Sequence, residues 1–152
     1  MATEPILERS LDEIGPGRVV RAWFFQALAT NGGERDWSGF DHTMAVATAK
    51  GIKVIPVLIN QWVHCDGPAG GGGEYKTDAW YSGGYASDVL AGSTVPYPDG
   101  VAEVVARYGS SSSVLAWQLV NEAEVKVSEH ASGVLRTRAG SCVTSRRTCR
   151  GS

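Results

Sequence analysis

Residues 53–60 read KVIPVLIN, a short run of β-branched and aliphatic residues broken only by Pro56. Eight residues are too few for a typical helix and far too few to cross a bilayer, so the stretch reads as a buried strand. Two segments of the same character flank it: RVVRAWFF at 18–25 and SVLAWQLV at 113–120. Between the strands lie patterns of helical spacing. FDHTMAVATAK at 40–50 is closed by Gly51, and DGVAEVVARYG at 99–109 ends on its own glycine. Ahead of all of these, ILERSLDEI at 6–14 places Ile6, Leu7, Leu11 and Ile14 at helix-like intervals before GPG at 15–17 stops the pattern. Ser38 with Asp41 three residues on predicts an N-cap and a carboxylate in the first turn of the second helix. The order is helix, strand, helix, strand, helix, strand. Apolar strands separated by helices predict an α/β fold with a parallel sheet covered on both faces, either doubly wound or a (β/α) barrel.

The 152 residues, 43% hydrophobic and 20% charged, suit one ordinary globular domain. The net charge of −2 hides a division: residues 131–152 carry five arginines and no acid, which is +5 and leaves −7 for residues 1–130. We therefore expect two regions, a folded 1–130 and a basic tail 131–152. The tail is rich in Arg, Ser, Gly, Thr and Cys and has no apolar period, the composition expected of a shifted reading frame in a GC-rich gene. Three cysteines, two of them in that tail, form neither a disulfide framework nor a zinc pattern. The opening MATEPILERSLDEI carries early acids and no basic-then-apolar segment, so it does not read as a secretory signal. Residues from Gln61 to about Pro98 form an unusually long connection containing GPAGGGG, but also Trp62, Trp80, Tyr81 and Tyr85, which favours an ordered functional loop.

In both candidate architectures function gathers at the C-terminal ends of the strands. There the sequence turns polar or aromatic: Arg21 with Trp23, Asn60 with Trp62, and Asn121 with Glu122. Phosphate-loop, dinucleotide, nucleophile-elbow and HExxH patterns are all missing. No metal or cofactor is expected, and neither is a nucleic-acid or membrane partner. What remains is a carboxylic acid among amides and aromatics. Glycoside cleavage needs such an acid to protonate the leaving oxygen, with a second carboxylate as nucleophile or base. Glu122 is the candidate acid, Asn121 a partner for a sugar hydroxyl, and Arg21 a cation able to hold a carboxylate ionised. Trp23, Trp62, Trp80 and Tyr81 offer flat apolar faces to a pyranose ring. Trp117, out of phase with Gln118, is expected to pack against helices, and His42 to be a solvated helix residue.

VVRAWFF, KGIKVIPVLINQW and VLAWQLVNEAE, in this order and with these helices between, resemble the second to fourth strands of a retaining glycoside hydrolase with a (β/α)8 barrel. The likeness is to family five of the Asn-Glu clan, its β-mannanase branch and cellulase relatives, over roughly residues 6 to 127. It implies that Glu122 is the general acid/base, that Asn121 binds the sugar beside the scissile bond, and that Arg21 lies under the nucleophile. Asn60 and Trp62 match the NNW-like pattern of the family, with Gln61 as a departure, and His64 is a further candidate for the cleft. A complete barrel has eight strands in about 250 residues. The family's nucleophile belongs to the seventh strand, which no segment here supplies, and Glu124 and Glu129 lie too near Glu122 in sequence to replace it. The resemblance thus implies a partial barrel carrying half of the machinery, with a polysaccharide or oligosaccharide as substrate. Its relatives are commonly secreted. The competing reading is a noncatalytic saccharide-binding or non-functional half-barrel, separable by activity on a soluble glucomannan that Glu122→Ala abolishes.

Overall fold

The computed structural model describes residues 4–62 and 75–123. The tail from 131, together with His64, Cys65, Glu124 and Glu129, lies outside the described residues. Helix α1 spans Glu4–Ile14, strand β1 Val19–Trp23, helix α2 Ser38–Ala49 and strand β4 Lys53–Val57. A hairpin of β2 (Thr30–Asn31) and β3 (Glu34–Arg35) falls between β1 and α2. Helices α3 (Asp78–Ser82) and α4 (Tyr97–Tyr108) follow β4. No helix among the described residues is long and apolar enough to cross a membrane.

β1 and β4 pair in parallel with Val19 opposite Lys53 and Trp23 opposite Val57, and α2 makes the crossover. Pairing runs one residue further, since Phe24 N–H donates to Val57 O at 2.8 Å. The period of two along β1 sends Val20 and Ala22 toward the core and Val19, Arg21 and Trp23 to the opposite, open face. The core is therefore on the helix side of the sheet. Phe24 stacks on Phe40 of α2 with ring centroids 4.2 Å apart and meets Tyr108 of α4 edge-on at 5.7 Å. Met44, Ala47, Ile52, Val54, Leu58 and Val104 complete it. Trp117 packs against this cluster, as its phase along the chain predicts.

The expected third strand is interrupted. Residues 113–121 run parallel to β4 but touch it only through isolated bridges, Val54 with Val114, Val57 with Gln118 and Asn60 with Asn121. Two residues on β4, Ile55 and Pro56, thus face three on the partner, residues 115–117, between the first two bridges. Pro56 explains the break. Val54 N–H donates to Ser113 O and Leu58 N–H to Gln118 O, so position 56 would be the donor between them, and proline has no N–H to give. An inner-strand proline is tolerated where the partner bulges, which is what residues 115–117 do.

Three local expectations change. Asp36, rather than Ser38, satisfies the start of α2: its Oδ1 accepts the Ser38 N–H at 3.0 Å and the Ser38 hydroxyl at 2.6 Å. Ser38 is itself the first helical residue. The residues of NGGERDW at 31–37 predict a loop, whereas residues 30–35 form a two-residue hairpin with Gly32 and Gly33 at φ 60° and 90°, the left-handed pair that such a turn requires. His42 is half-covered by α1, its Nε2 facing Glu8 at 3.9 Å without a hydrogen bond. Only Leu7 and Leu11 of the four apolar residues of α1 reach the core, while Ile6 and Ile14 are exposed. The close seating of α4 depends on Gly100, where a Cβ would lie 2.1 Å from the Gln26 amide nitrogen.

Candidate functional site

The C-terminal ends of β4 and of the 113–121 segment are tied backbone to backbone. Asn121 N–H donates to Ile59 O at 2.8 Å, and Gln61 N–H donates to Asn121 O at 3.0 Å. This sets the Asn60 and Asn121 side chains beside one another, and Asn121 Nδ2 donates to Asn60 Oδ1 at 2.9 Å. Arg21, on the open face of β1, reaches across the sheet. Its Nη2 donates to Asn121 Oδ1 at 2.5 Å and its Nε to Gln118 Oε1 at 2.8 Å. A guanidinium can only donate, so the Asn121 oxygen must face Arg21 and its NH2 must face Asn60. The result is a directional chain from Arg21 through Asn121 to Asn60. These side-chain bonds of Arg21 go to amides, whereas the sequence suggested a carboxylate.

Glu122 follows directly, in a turn, with φ at 51°. The left-handed region is uncommon for a residue with a long side chain and costs energy there. The turn leaves the carboxylate exposed, and Glu122 Oε2 accepts the Trp62 indole N–H at 2.6 Å. Trp62 also lies edge-on to Tyr75 at 6.4 Å. On the far side of Arg21, Trp23 is 46% exposed, tilted against Phe25 at 5.0 Å and 5.5 Å beneath the guanidinium. Arg21, Trp23, Asn60, Trp62, Asn121 and Glu122 therefore all stand at the strand ends. His64 lies outside the described residues.

Behind this row is a buried layer of Gln61 and Lys76, which the sequence did not single out as site residues, with Tyr81 and Trp80, which it offered as sugar-facing aromatics and which instead pack here. Gln61 is fully buried, donates to Lys76 O at 3.0 Å and accepts the Tyr81 hydroxyl. Lys76 is 3% exposed, and its Nζ donates to Asn60 O. Trp80 is buried among Tyr81, Tyr85 and Tyr97, a packing role. A lysine and a glutamine in a glycine-rich loop carry no sequence signal for burial. The departure from the NNW-like pattern at Gln61 was the available hint. The pocket bounded by Gln26, Leu58, Leu90 and Tyr97 includes none of these groups. Among the described residues no three of His, Cys, Asp and Glu converge as metal ligands would.

Fold and site together define an α/β protein whose chemistry-bearing side chains gather where parallel strands end. No family model matches the chain. It is 30% identical over 146 residues to mannan endo-1,4-beta-mannosidase A of Podospora anserina, an alignment covering 79% of this chain and 36% of that protein. The chain thus spans little more than a third of the length of the curated relative it matches. This similarity supports a relationship to glycoside hydrolases.

Proposed function

We propose that residues 1–130 are part of a family-five (β/α)8 barrel, about its second to fourth strands, and that this surface binds β-1,4-linked mannan or a cellulose-like polysaccharide. The observation that carries the proposal is the run from Arg21 through Asn121 to Asn60, ending beside a strained, exposed Glu122 held by Trp62. In this reading Glu122 is the general acid/base. Its Oε2 is engaged by the indole N–H, so Oε1 is the oxygen that would hand a proton to the glycosidic oxygen while a nucleophilic carboxylate from elsewhere in a complete barrel bonds to the anomeric carbon. The carboxylate then takes a proton from water in the second step. Asn121 holds the hydroxyl next to the scissile bond, and Trp23 and Trp62 stack on sugar rings.

A retaining mechanism also needs a nucleophilic carboxylate roughly 5 Å from the acid. Glu122 is the only acid at the described strand ends, where the other positions are Phe24, Phe25, Leu58, Asn60, Gln61 and Trp62. We propose that the chain by itself binds without cleaving. Titration with β-1,4-mannotetraose, followed by tryptophan fluorescence, should saturate near a Kd of about 1 mM, equivalent to about −4 kcal/mol. Trp62→Ala should weaken it about tenfold. Release of reducing ends from glucomannan should stay at the blank. Absence of saturable binding would sink the saccharide reading, and turnover lost in Glu122→Ala would sink the inactivity. The tail from 131 we assign to a shifted frame. Resequencing past codon 152 should show another frame that restores helix and strand alternation, and no such frame would make the tail a genuine feature.

A further inference from the structure

Lys76 is a buried cation that the proposed chemistry does not use. An ammonium at 3% exposure must replace its water with protein partners, because an unpaired buried charge is very costly. Two of its partners are defined. Nζ donates to the carbonyl of Asn60, and it lies 5.4 Å from the centroid of the Trp80 ring, within cation–π range. The first contact has a direct consequence for the strand ends. The Asn60 carbonyl and the Gln61 N–H belong to one peptide plane. That plane is held at both ends, with Lys76 at its oxygen and Asn121 O accepting its N–H at 3.0 Å. A positive charge at the oxygen polarises the peptide and strengthens the N–H as a donor. The main chain of Lys76 adds a second tie, since its N–H donates to Gln61 O at 2.9 Å and its carbonyl accepts Gln61 Nε2 at 3.0 Å.

We infer that Lys76 is a positioning residue: its ammonium sets the 60–61 peptide and, through that peptide, the Asn121 backbone from which the Asn121 amide and Glu122 are presented. The link to saccharide rests on the proposed function, whereas the link to the peptide does not. Lys76→Met keeps the length of the stem and removes the charge, and Lys76→Arg keeps the charge. In the 15N,13C-labelled full chain, Gln61 amide exchange should quicken tenfold or more in Lys76→Met and stay within about threefold of the parent in Lys76→Arg. A packing role alone would leave the methionine variant unchanged, and that result would overturn the inference. If the variants do not fold, the parent still decides the matter. Across a pH titration the Asn60 carbonyl 13C resonance should shift with the same midpoint as the Lys76 side-chain 13Cε, and a carbonyl that ignores the lysine's titration would overturn it. Mannotetraose affinity should fall about tenfold in Lys76→Met, and a folded methionine variant with parental affinity would also overturn the inference. Should the parent itself bind no mannotetraose, the saccharide reading fails while the exchange and carbonyl results still judge Lys76.

Discussion

Glu122 is the one non-glycine residue among the described residues with a positive φ, and strain of this kind persists only where something else holds it. Here the holders are the Asn121 backbone bonds on one side and the Trp62 indole on the other. Left-handed backbone at a side-chain-bearing residue costs roughly 1–2 kcal/mol. The hydrogen bond returned by an exposed carboxylate is worth about 1 kcal/mol. Glu122→Gly should accordingly be neutral or more stable than the parent by up to about 1 kcal/mol in urea unfolding, because glycine removes the strain. Glu122→Gln keeps the strain and should not gain. A glycine variant weaker by more than about 1 kcal/mol would mean that the bond to Trp62 outweighs the strain.

Between elements, α2 and α4 are joined by Asp41, which accepts from Arg107 at 2.5 and 2.8 Å and from the Tyr108 hydroxyl at 2.8 Å. The Arg107 hydrogen bond is the main reason the Asp41 carboxyl is held below its ordinary 3.8, with Tyr108 adding to it against partial burial. Burial, followed by the neighbouring carboxylate, pushes the Tyr108 phenol up, so it stays a donor throughout the neutral range. Because the folded-state value of Asp41 is depressed, its contribution is complete above the unfolded value and disappears as pH falls through the lower folded one. Asp41→Asn should destabilise at neutral pH, and its urea midpoint should converge on the parent's as pH falls through the depressed folded-state value of Asp41. Exposure of the Arg107–Asp41 pair to solvent keeps this effect small. Tyr108→Phe, which removes a half-buried bond to a charged acceptor, should cost about 1.5 kcal/mol at neutral pH. The same scale shows what could be read in advance. Helices α1, α2 and α4 and strands β1 and β4 were legible to within a few residues because apolar spacing reports directly on burial, whereas α3 falls inside the expected loop. Pro56 was visible, yet its effect needed a neighbour: the broken ladder at residues 113–121 exists only once position 56 is known to face that segment. The NGG hairpin was legible in principle from its turn chemistry. The strand-end residues could be read because they interrupt apolar runs, whereas Lys76 and Gln61 could not, since nothing local distinguishes a buried loop lysine from a solvated one.

At the scale of the whole molecule the decisive asymmetry is that, among the described residues, helices cover only one face of the sheet. On β1 the uncovered face carries Val19 at 49% and Trp23 at 46% exposure, and Leu115, next to the core-facing Val114, is 45% exposed. β1 is also an edge, because β4 is its only partner in the described sheet. Its other side presents unpaired backbone N–H and C=O groups without the devices that usually block pairing. Arg21 is the one charge on that stretch, and its guanidinium is turned across the sheet toward Gln118 and Asn121 rather than outward along the edge. An apolar face beside an open edge is a template for a second copy of the same chain. Sedimentation velocity should therefore show mass rising with concentration through the tens of micromolar. Val19→Lys combined with Trp23→Lys, which puts two charges on the exposed face without touching Phe24 or the core, should return the chain to a monomer. Hydrogen exchange should slow at Val19–Trp23 in the associated form and quicken in the double variant. If the parent stays monomeric at high concentration, or if the lysines leave association unchanged, the open face is not what joins the copies.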